Sequence, residues 1–300
     1  MNILIYEDWT HIIPTGKGWY TGFLELGHTV YQMPHKYPLT QIEELMDLII
    51  HFDVPTYQGY ENILRQFKAV QPDCKIIGLA GPYKSEFENY LGLIEFWCSM
   101  AYDFSLYRKD FNEAGFDHYD IPLATDRNQF FPIKGKKQYD FSFFGTFGHG
   151  YRGEDHYLYP LLRDDSLTRR IGGFTFDGVR WPAVLYEKLN KIYNTTKVNL
   201  NFHYDSQKQK NCNDFNGRMF DIPASGGFML CDHPNAKEYL GDDVIVGEKE
   251  NWAELIHYYK EHDDERKEAA AKLNRVVLEQ HTYKNRMLLV LDLLKRTKIK

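Results

Sequence analysis

Tyr139-Asp140-Phe141-Ser142-Phe143-Phe144, running into Gly145-Thr146-Phe147-Gly148-His149-Gly150, reads as an apolar strand that ends in a glycine-rich turn. It opens at mid-chain what the N-terminus has already opened once. Asn2-Ile3-Leu4-Ile5-Tyr6 is a short apolar run, Glu7 to Gly18 is polar and glycine-containing, and Trp19 to Leu26 has helical spacing that Gly27-His28 stops. A strand, loop and helix pattern that starts twice predicts two domains, and 300 residues exceed what one hydrophobic core normally supports.

Upstream of the restart, Ile121 to Pro132 carries two prolines and no periodicity, and Lys134, Lys136 and Lys137 follow it. The domain boundary is placed at its end, giving domains 1–132 and 133–300. Within the first, Thr29-Val30-Tyr31, Leu48 to Phe52 and Lys75 to Leu79 read as further strands with helical segments between them. Within the second, Val198 to Asn201, Phe228 to Cys231 and Val244 to Val246 do the same. Trp252, Leu255, Ile256 and Tyr259 fall on one face of an amphipathic helix and are read as core. Helices are expected at about Glu265 to Glu279 and Tyr283 to Leu294. Strands alternating with helices predict an α/β fold, each parallel sheet covered on both faces.

The apolar fraction of 43% and charged fraction of 26% are those of a globular protein, and Tyr 22 with Phe 20 make an unusually aromatic chain. A net charge of −6 argues against a globally basic coat for nucleic acid, which needs clustered Lys and Arg. It leaves room for a local basic face; the tail Lys295 to Lys300 is such a cluster, or simply a solvated end. Runs such as Met287 to Leu291 are too short to span a bilayer, and Met1 leads straight into Asn2 to Tyr6 without a signal-peptide pattern. A cytoplasmic location with no membrane span is expected. Cys74, Cys98, Cys212 and Cys231 show no CxxC or metal spacing and read as free thiols.

In an open parallel sheet, ligands bind beyond the carboxyl ends of strands. Three loops have that placement. In Pro14-Thr15-Gly16-Lys17-Gly18, Gly16 and Gly18 would let backbone N–H groups approach a ligand, although glycines also serve plain turns. Gly145 to Arg152 contains His149 and Arg152, whose planar fork suits a diphosphate, or which is merely a surface arginine. The sharpest is Asn216-Gly217-Arg218-Met219-Phe220-Asp221-Ile222-Pro223-Ala224-Ser225-Gly226-Gly227-Phe228-Met229-Leu230. Here Arg218 can face phosphate and Asp221 the vicinal diol of a ribose. Pro223 stands where a helix could begin. An Arg218–Asp221 ion pair that braces the loop is the alternative.

At this third motif the chain resembles the glycosyltransferases related to spore maturation protein CgeB, a branch of the GT-B group-1 enzymes. Those carry N-x-R-x-F-E, a small-residue Gly-Gly segment and a hydrophobic strand; this chain reads NGRMFDIPASGGFMLCD. YDFSFFGTFGHGYR resembles the opening of the second domain, KVNLNFH the strand before the motif, HTYKNR the closing HTY-x-x-R, and PLATDRNQFFP the interdomain link. The likeness runs from about Pro122 to Arg286, while the first half matches only through MNILIYED, GKGWYTGFLELGHTV and the strand pattern.

The resemblance implies a GT-B fold, two Rossmann-like domains facing across a cleft, with the last helix returning toward the first. It implies an acceptor-side domain 1–132 and a donor-side domain 133–300. It also implies a nucleotide-sugar co-substrate, a uridine diphosphate sugar above all, and metal-independent transfer. In donor binding it assigns Asp221 to the ribose, Arg218 to the pyrophosphate and Gly226 and Gly227 to close packing; the three loops add Asn216, Arg152 and the glycines Gly16, Gly18 and Gly145 as donor-site candidates. Asp221 stands where the family has glutamate. Asn213 stands where related enzymes often have a first acidic residue.

Glu7 and Asp8, directly after the first strand, are candidates for the base of an inverting reaction, and His11 for a base or a hydrogen-bond donor. His281, Tyr283 and Arg286 are expected to orient the last helix. The acceptor would be a hydroxyl on a polysaccharide, a metabolite, a protein or a hydroxymethylated base of viral DNA. The alternative class is a non-catalytic nucleotide-sugar-binding protein, for which the Glu-to-Asp departure is the best support.

Overall fold

The computed structural model describes residues 1–7, 15–34, 37–52, 59–79, 84–99, 105–145, 158–176, 179–204, 208, 215–248 and 251–297. The chain forms two compact units, Met1–Leu123 with Tyr283–Lys300, and Ala124–Thr282.

Unit 1 is built from β1 (Asn2–Tyr6), α1 (Thr15–Glu25), β2 (Thr29–Met33), β3 (Leu48–Phe52), α2 (Tyr60–Val70), β4 (Lys75–Leu79), β5 (Trp97–Ser99), α3 (Ser105–Glu113) and β6 (His118–Asp120). Its strands pair in the order β2-β1-β3-β4-β5-β6, parallel throughout. β3 is buried at every position, as a parallel strand covered on both faces must be. Leu64 and Phe67 of α2 pack with Ile49, Ile76, Trp97 and Phe111 in one core. Stacked Phe87 and Phe111, 4.4 Å apart, show where the aromatic composition goes.

Unit 2 contains β7 (Tyr139–Phe144), α4 (Leu158–Leu162), β8 (Arg169–Gly172), β9 (Phe174–Phe176), β10 (Val179–Trp181), α5 (Tyr186–Thr195), β11 (Thr196–Asn201), α6 (Arg218–Ala224), β12 (Met229–Cys231), α7 (Ala236–Leu240), β13 (Ile245–Val246), α8 (Trp252–Glu261) and α9 (Asp263–Gln280). The main sheet runs β13-β12-β11-β7-β8, again parallel, and β9 with β10 forms a separate antiparallel pair. Phe143, Leu200, Phe228, Trp252 and Ile256 share its core, so the α8 face is core as expected.

The last helix, α10 (Tyr283–Arg296), belongs to unit 1. Gly18 and Gly22 of α1 lie against it: a Cβ at Gly18 would fall 2.2 Å from the Tyr283 ring, and one at Gly22 2.8 Å from Met287 Cγ. Arg286 ties it down by donating to Pro122 O (2.9 Å) and Leu123 O (3.2 Å).

The units therefore divide between Leu123 and Ala124 rather than at 132/133, and 283–300 packs with the first unit rather than the second. The reason lies in α5. Asn190 Oδ1 accepts from Phe131 N and Asn194 Oδ1 from Ile133 N, while Phe130 packs against Tyr186 and Tyr193. These contacts strap residues 124–133 onto unit 2. Among the described residues no helix is long and apolar enough to cross a membrane, and Cys74, Cys98 and Cys231 are free and buried.

Candidate functional site

Both sheets have the same winding. In each, the second strand lies on one side of the first and the third on the other, so the strand order reverses between β1 and β3 in unit 1 and between β7 and β11 in unit 2. Such a reversal opens a crevice beyond the carboxyl ends of the two strands, where open α/β sheets bind ligands.

Arg218 lies at this crevice in unit 2. It is the first residue of α6, and its guanidinium reaches both strand ends. Nη1 donates to Phe144 O at the end of β7 (2.7 Å), Nη2 to Phe202 O just beyond β11 (2.8 Å), and Nε to Asn201 Oδ1 (3.3 Å), with the Phe143 ring 5.4 Å away. Gly145 makes the approach possible, because a Cβ there would fall 2.7 Å from Arg218 Nη1. Among the described residues no carboxylate neutralises Arg218 at ion-pair distance. Burial is the main influence and lowers its basicity, partly offset by Tyr193, Tyr204, Asp232 and Asp221. A guanidinium stays protonated under such shifts, so a positive charge faces the strand ends with no ion-paired carboxylate among the described residues.

Asn216, two residues earlier, donates Nδ2 to the same Phe202 O (3.3 Å), while its Oδ1 is buried without a hydrogen-bond partner among the described residues. Buried acceptors are seldom left so.

Asp221 does not pair with Arg218. Thr125 Oγ1 donates to its Oδ1 and Tyr186 OH to its Oδ2, each at 3.0 Å. Burial pushes its pKa up to about 8, a rise that those two hydrogen bonds and Arg218 oppose and Asp126 reinforces. The ion-pair alternative is thus replaced by a brace on the strap that opens unit 2. Pro223 does not begin a helix but sits near the end of α6.

Gly226 and Gly227 lie at the other end of α6, on the amino side of β12. Gly226 has φ of 73° against Pro132, and a Cβ on Gly227 would fall 2.8 Å from Asn199 Nδ2. The structure does not bring them together with Arg218.

In unit 1, Glu7 follows β1, and its carboxylate lies on the first turn of α1: a Cβ at Gly16 would fall 1.5 Å from Glu7 Oε2. The helix N-terminus favours negative charge there. Gly18 faces Tyr283 instead. Asp8, His11 and Arg152 lie outside the described residues.

Sequence reasoning missed the pair beside Arg218. His203 Nδ1 lies 2.9 Å from Asp232 Oδ1, which also accepts His203 N (2.8 Å), and Lys208 Nζ is 3.4 Å from Asp232 Oδ2. His203, Cys231 and Asp232 hold their donor atoms within 4.8 Å of one another, the one described cluster of metal-ligating type. Burial holds the Cys231 thiol well above its usual range, and Asp232 is already engaged, so the group fits a hydrogen-bonded histidine better than a cation site. The cue was present in KVNLNFH and CDH, but nothing in the spacing says that β11 and β12 lie side by side.

Residues 133–292 match the family model described as Glycosyl transferase-like. The chain belongs to that family. Solved structures extend the likeness of this glycosyl transferase-like chain over both units. HepE of Anabaena, solved in complex with UDP-glucose, shares 10% identity at a TM-score of 0.57, covering 99% of this chain and 100% of its own. Sucrose-phosphate synthase from Thermosynechococcus elongatus gives 9% and 0.61, covering 99% and 98%. The N-terminal domain of Candida albicans trehalose-6-phosphate phosphatase gives 9% and 0.56, covering 99% and 97%. These likenesses establish the GT-B type of fold, two parallel-sheet α/β units. No curated protein sequence matches the chain.

Proposed function

We propose that the chain transfers a sugar from a nucleoside diphosphate donor, a UDP-sugar, to a hydroxyl acceptor, with the donor held by unit 2. The observation that carries this is the Arg218 guanidinium at the β7/β11 crevice of a glycosyl transferase-like chain, with no carboxylate at ion-pair distance among the described residues. A diphosphate supplies the missing negative charge. HepE, with the same fold, was solved with UDP-glucose.

In this reading Arg218 faces the pyrophosphate, and Asn216 Oδ1 accepts from a donor hydroxyl. His203, oriented by Asp232, hydrogen-bonds the departing diphosphate. A cation and a proton-bearing imidazole stabilise that leaving group where other enzymes use a divalent metal, so transfer is metal-independent. Asp221 reaches the ribose only by exchanging Thr125 or Tyr186 for a ribose hydroxyl. Unit 1 reads the acceptor, with Glu7 as base. The order of the NGRMFD, SGGFML and HTYKNR motifs supports a CgeB-like branch, and the buried thiols suit a reducing cytoplasm.

The test is a thermal-shift panel of uridine, guanosine, adenosine and thymidine diphosphates and their sugars, with and without chelator. Stabilisation by uridine diphosphates alone, unchanged by chelator, is expected. Labelled donor is then offered to oligosaccharide, polyol, protein and hydroxymethylated duplex DNA. Binding without product on any acceptor, and without hydrolysis, would favour a non-catalytic nucleotide-sugar-binding protein. No stabilisation at all would remove the donor site.

A further inference from the structure

On the amino side of the second sheet, away from Arg218, unit 2 has a cavity of about 250 Å³ lined by Pro132, Lys137, Gly226, Arg266, Lys267 and Asn274, with Phe228, Ala270 and Ala271 among its apolar walls. Two parts of the chain bring three cations to it: the segment before β7 supplies Lys137, and the first turns of α9 supply Arg266 and Lys267. Lys134 and Lys136, exposed, flank Lys137 in sequence.

Among the described residues, the carboxylates near these cations do not balance them. Asp263 is shared by Arg266 and by Lys267 (3.4 Å), and Asp264, 3.8 Å from Lys267, is fully exposed. Among the described residues, Lys137 Nζ donates to a neutral acceptor, Asn194 O, at 2.9 Å. Burial first, then the charges of Arg266 and Lys267, push its pKa down to about 8, with Asp263 opposing. Holding a half-buried ammonium beside two other cations opposes folding, and an anion in the cavity reverses that penalty. Asn274 Nδ2 donates to Pro223 O (2.8 Å) and Ala224 O (2.9 Å), so the carbonyls that end α6 are capped and do not repel a ligand there.

We infer that this cavity is a second ligand site, distinct from the donor crevice, which binds the phosphate of a small phosphomonoester between Lys137 and Lys267, beside Arg266, whose Nη1 and Nη2 already donate to Tyr259 O and Asp263, and its organic part on the apolar wall. The volume equals that of roughly eight waters at 30 Å³ each, enough for a phosphate with a short carbon chain.

The experiment is calorimetric titration of the full chain with inorganic phosphate and with glycerol 3-phosphate, glycerol serving as control, in excess UDP so that Arg218 is not the phosphate's target. Both phosphates should bind and glycerol should not, with glycerol 3-phosphate the tighter. Lys137→Met and Lys267→Glu should each weaken binding about tenfold, as loss of 1.4 kcal/mol does, and leave UDP binding unchanged. Lys267 is exposed, so its variant tests the site even if Lys137→Met folds poorly. No heat with either phosphate at about 10 mM, a range that covers millimolar affinities, would overturn the site. So would affinities unchanged in both variants, or displacement of phosphate by duplex DNA, which would make the lysines a polyanion surface.

Discussion

In unit 1 the crevice between β1 and β3 is bordered by rings and a carboxylate; in unit 2 the crevice between β7 and β11 is closed by a guanidinium. Tyr6 and His51 are register partners at the first, their rings 6.0 Å apart with Tyr60 against His51, and Glu7 follows directly. At the second, Ser142 donates to Asn199 across the same pair of strands (2.7 Å), and Arg218 ties the strand ends together. One winding order thus makes two crevices, and the side chains at each decide which charge it accepts. An acid suits a hydroxyl that must lose a proton, and a cation suits a diphosphate that must leave.

The contrast breaks first at Glu7. Glu7→Gln keeps the shape against Gly16 and removes the proposed base, so transfer should fall by about 10² to 10⁴ while the thermal shift with UDP stays. Transfer at the wild-type rate would leave unit 1 without a chemical role for its acid.

Arg218 breaks it from the other side. Arg218→Ala removes the Arg218 donor from Phe144 O and leaves Phe202 O with the longer bond from Asn216, and should cost on the order of 2–4 kcal/mol of stability and tenfold or more in UDP affinity. Arg218→Lys separates the two effects. An ammonium keeps the charge but cannot fork between two carbonyls, so it should recover more of the affinity than of the stability. If both recover fully, the fork has no importance; if affinity never changes, Arg218 only staples the strands.

How far these features could be read beforehand follows from their range. Largely apolar strands of five or six residues, such as β1, β3 and β7, stand out in the sequence, as does the α8 face. β5 and β6, three residues each, carry too little pattern and exist by pairing with neighbours. Arg218 and Asp221 were legible as residues of interest, but not their partners. Those lie 74 and 96 residues away, at Phe144 and Thr125, and no local spacing reports such a distance. The unit boundary was missed for the same reason: Asn190 and Asn194 hold the strap from 59 and 61 residues away. His203 and Asp232 meet only because β11 and β12 are adjacent.

Asp221 sharpens the comparison through pH. An unfolded aspartate loses its proton near 3.8, whereas the folded one keeps it to about 8. Between those values the folded state holds the extra proton, so this group makes stability fall as pH rises. Asp221→Asn lacks that slope. From pH 5 to pH 8 the wild type should lose about 2 kcal/mol or more relative to the variant, read from urea midpoints. Parallel curves would mean that Asp221 is ionised throughout, held by Thr125 and Tyr186 as a charged acceptor.

The smallest effect is at Tyr186, whose hydroxyl donates to Asp221 Oδ2 at 3.0 Å. Tyr186→Phe should cost about 1 kcal/mol. Because that bond favours the charged carboxylate, its loss should raise the Asp221 pKa further, and the decline of stability should continue to higher pH than in the wild type. The same variant tests what Asp221 does for the donor. If a ribose hydroxyl takes the place of Tyr186 OH, phenylalanine removes a competitor, and UDP should bind as tightly as before or more so. If Asp221 only braces the strap at Thr125, the loosened brace should weaken UDP binding and stability together. The direction of the affinity change therefore says whether the carboxylate of unit 2 belongs to the ligand or to the scaffold that carries Arg218.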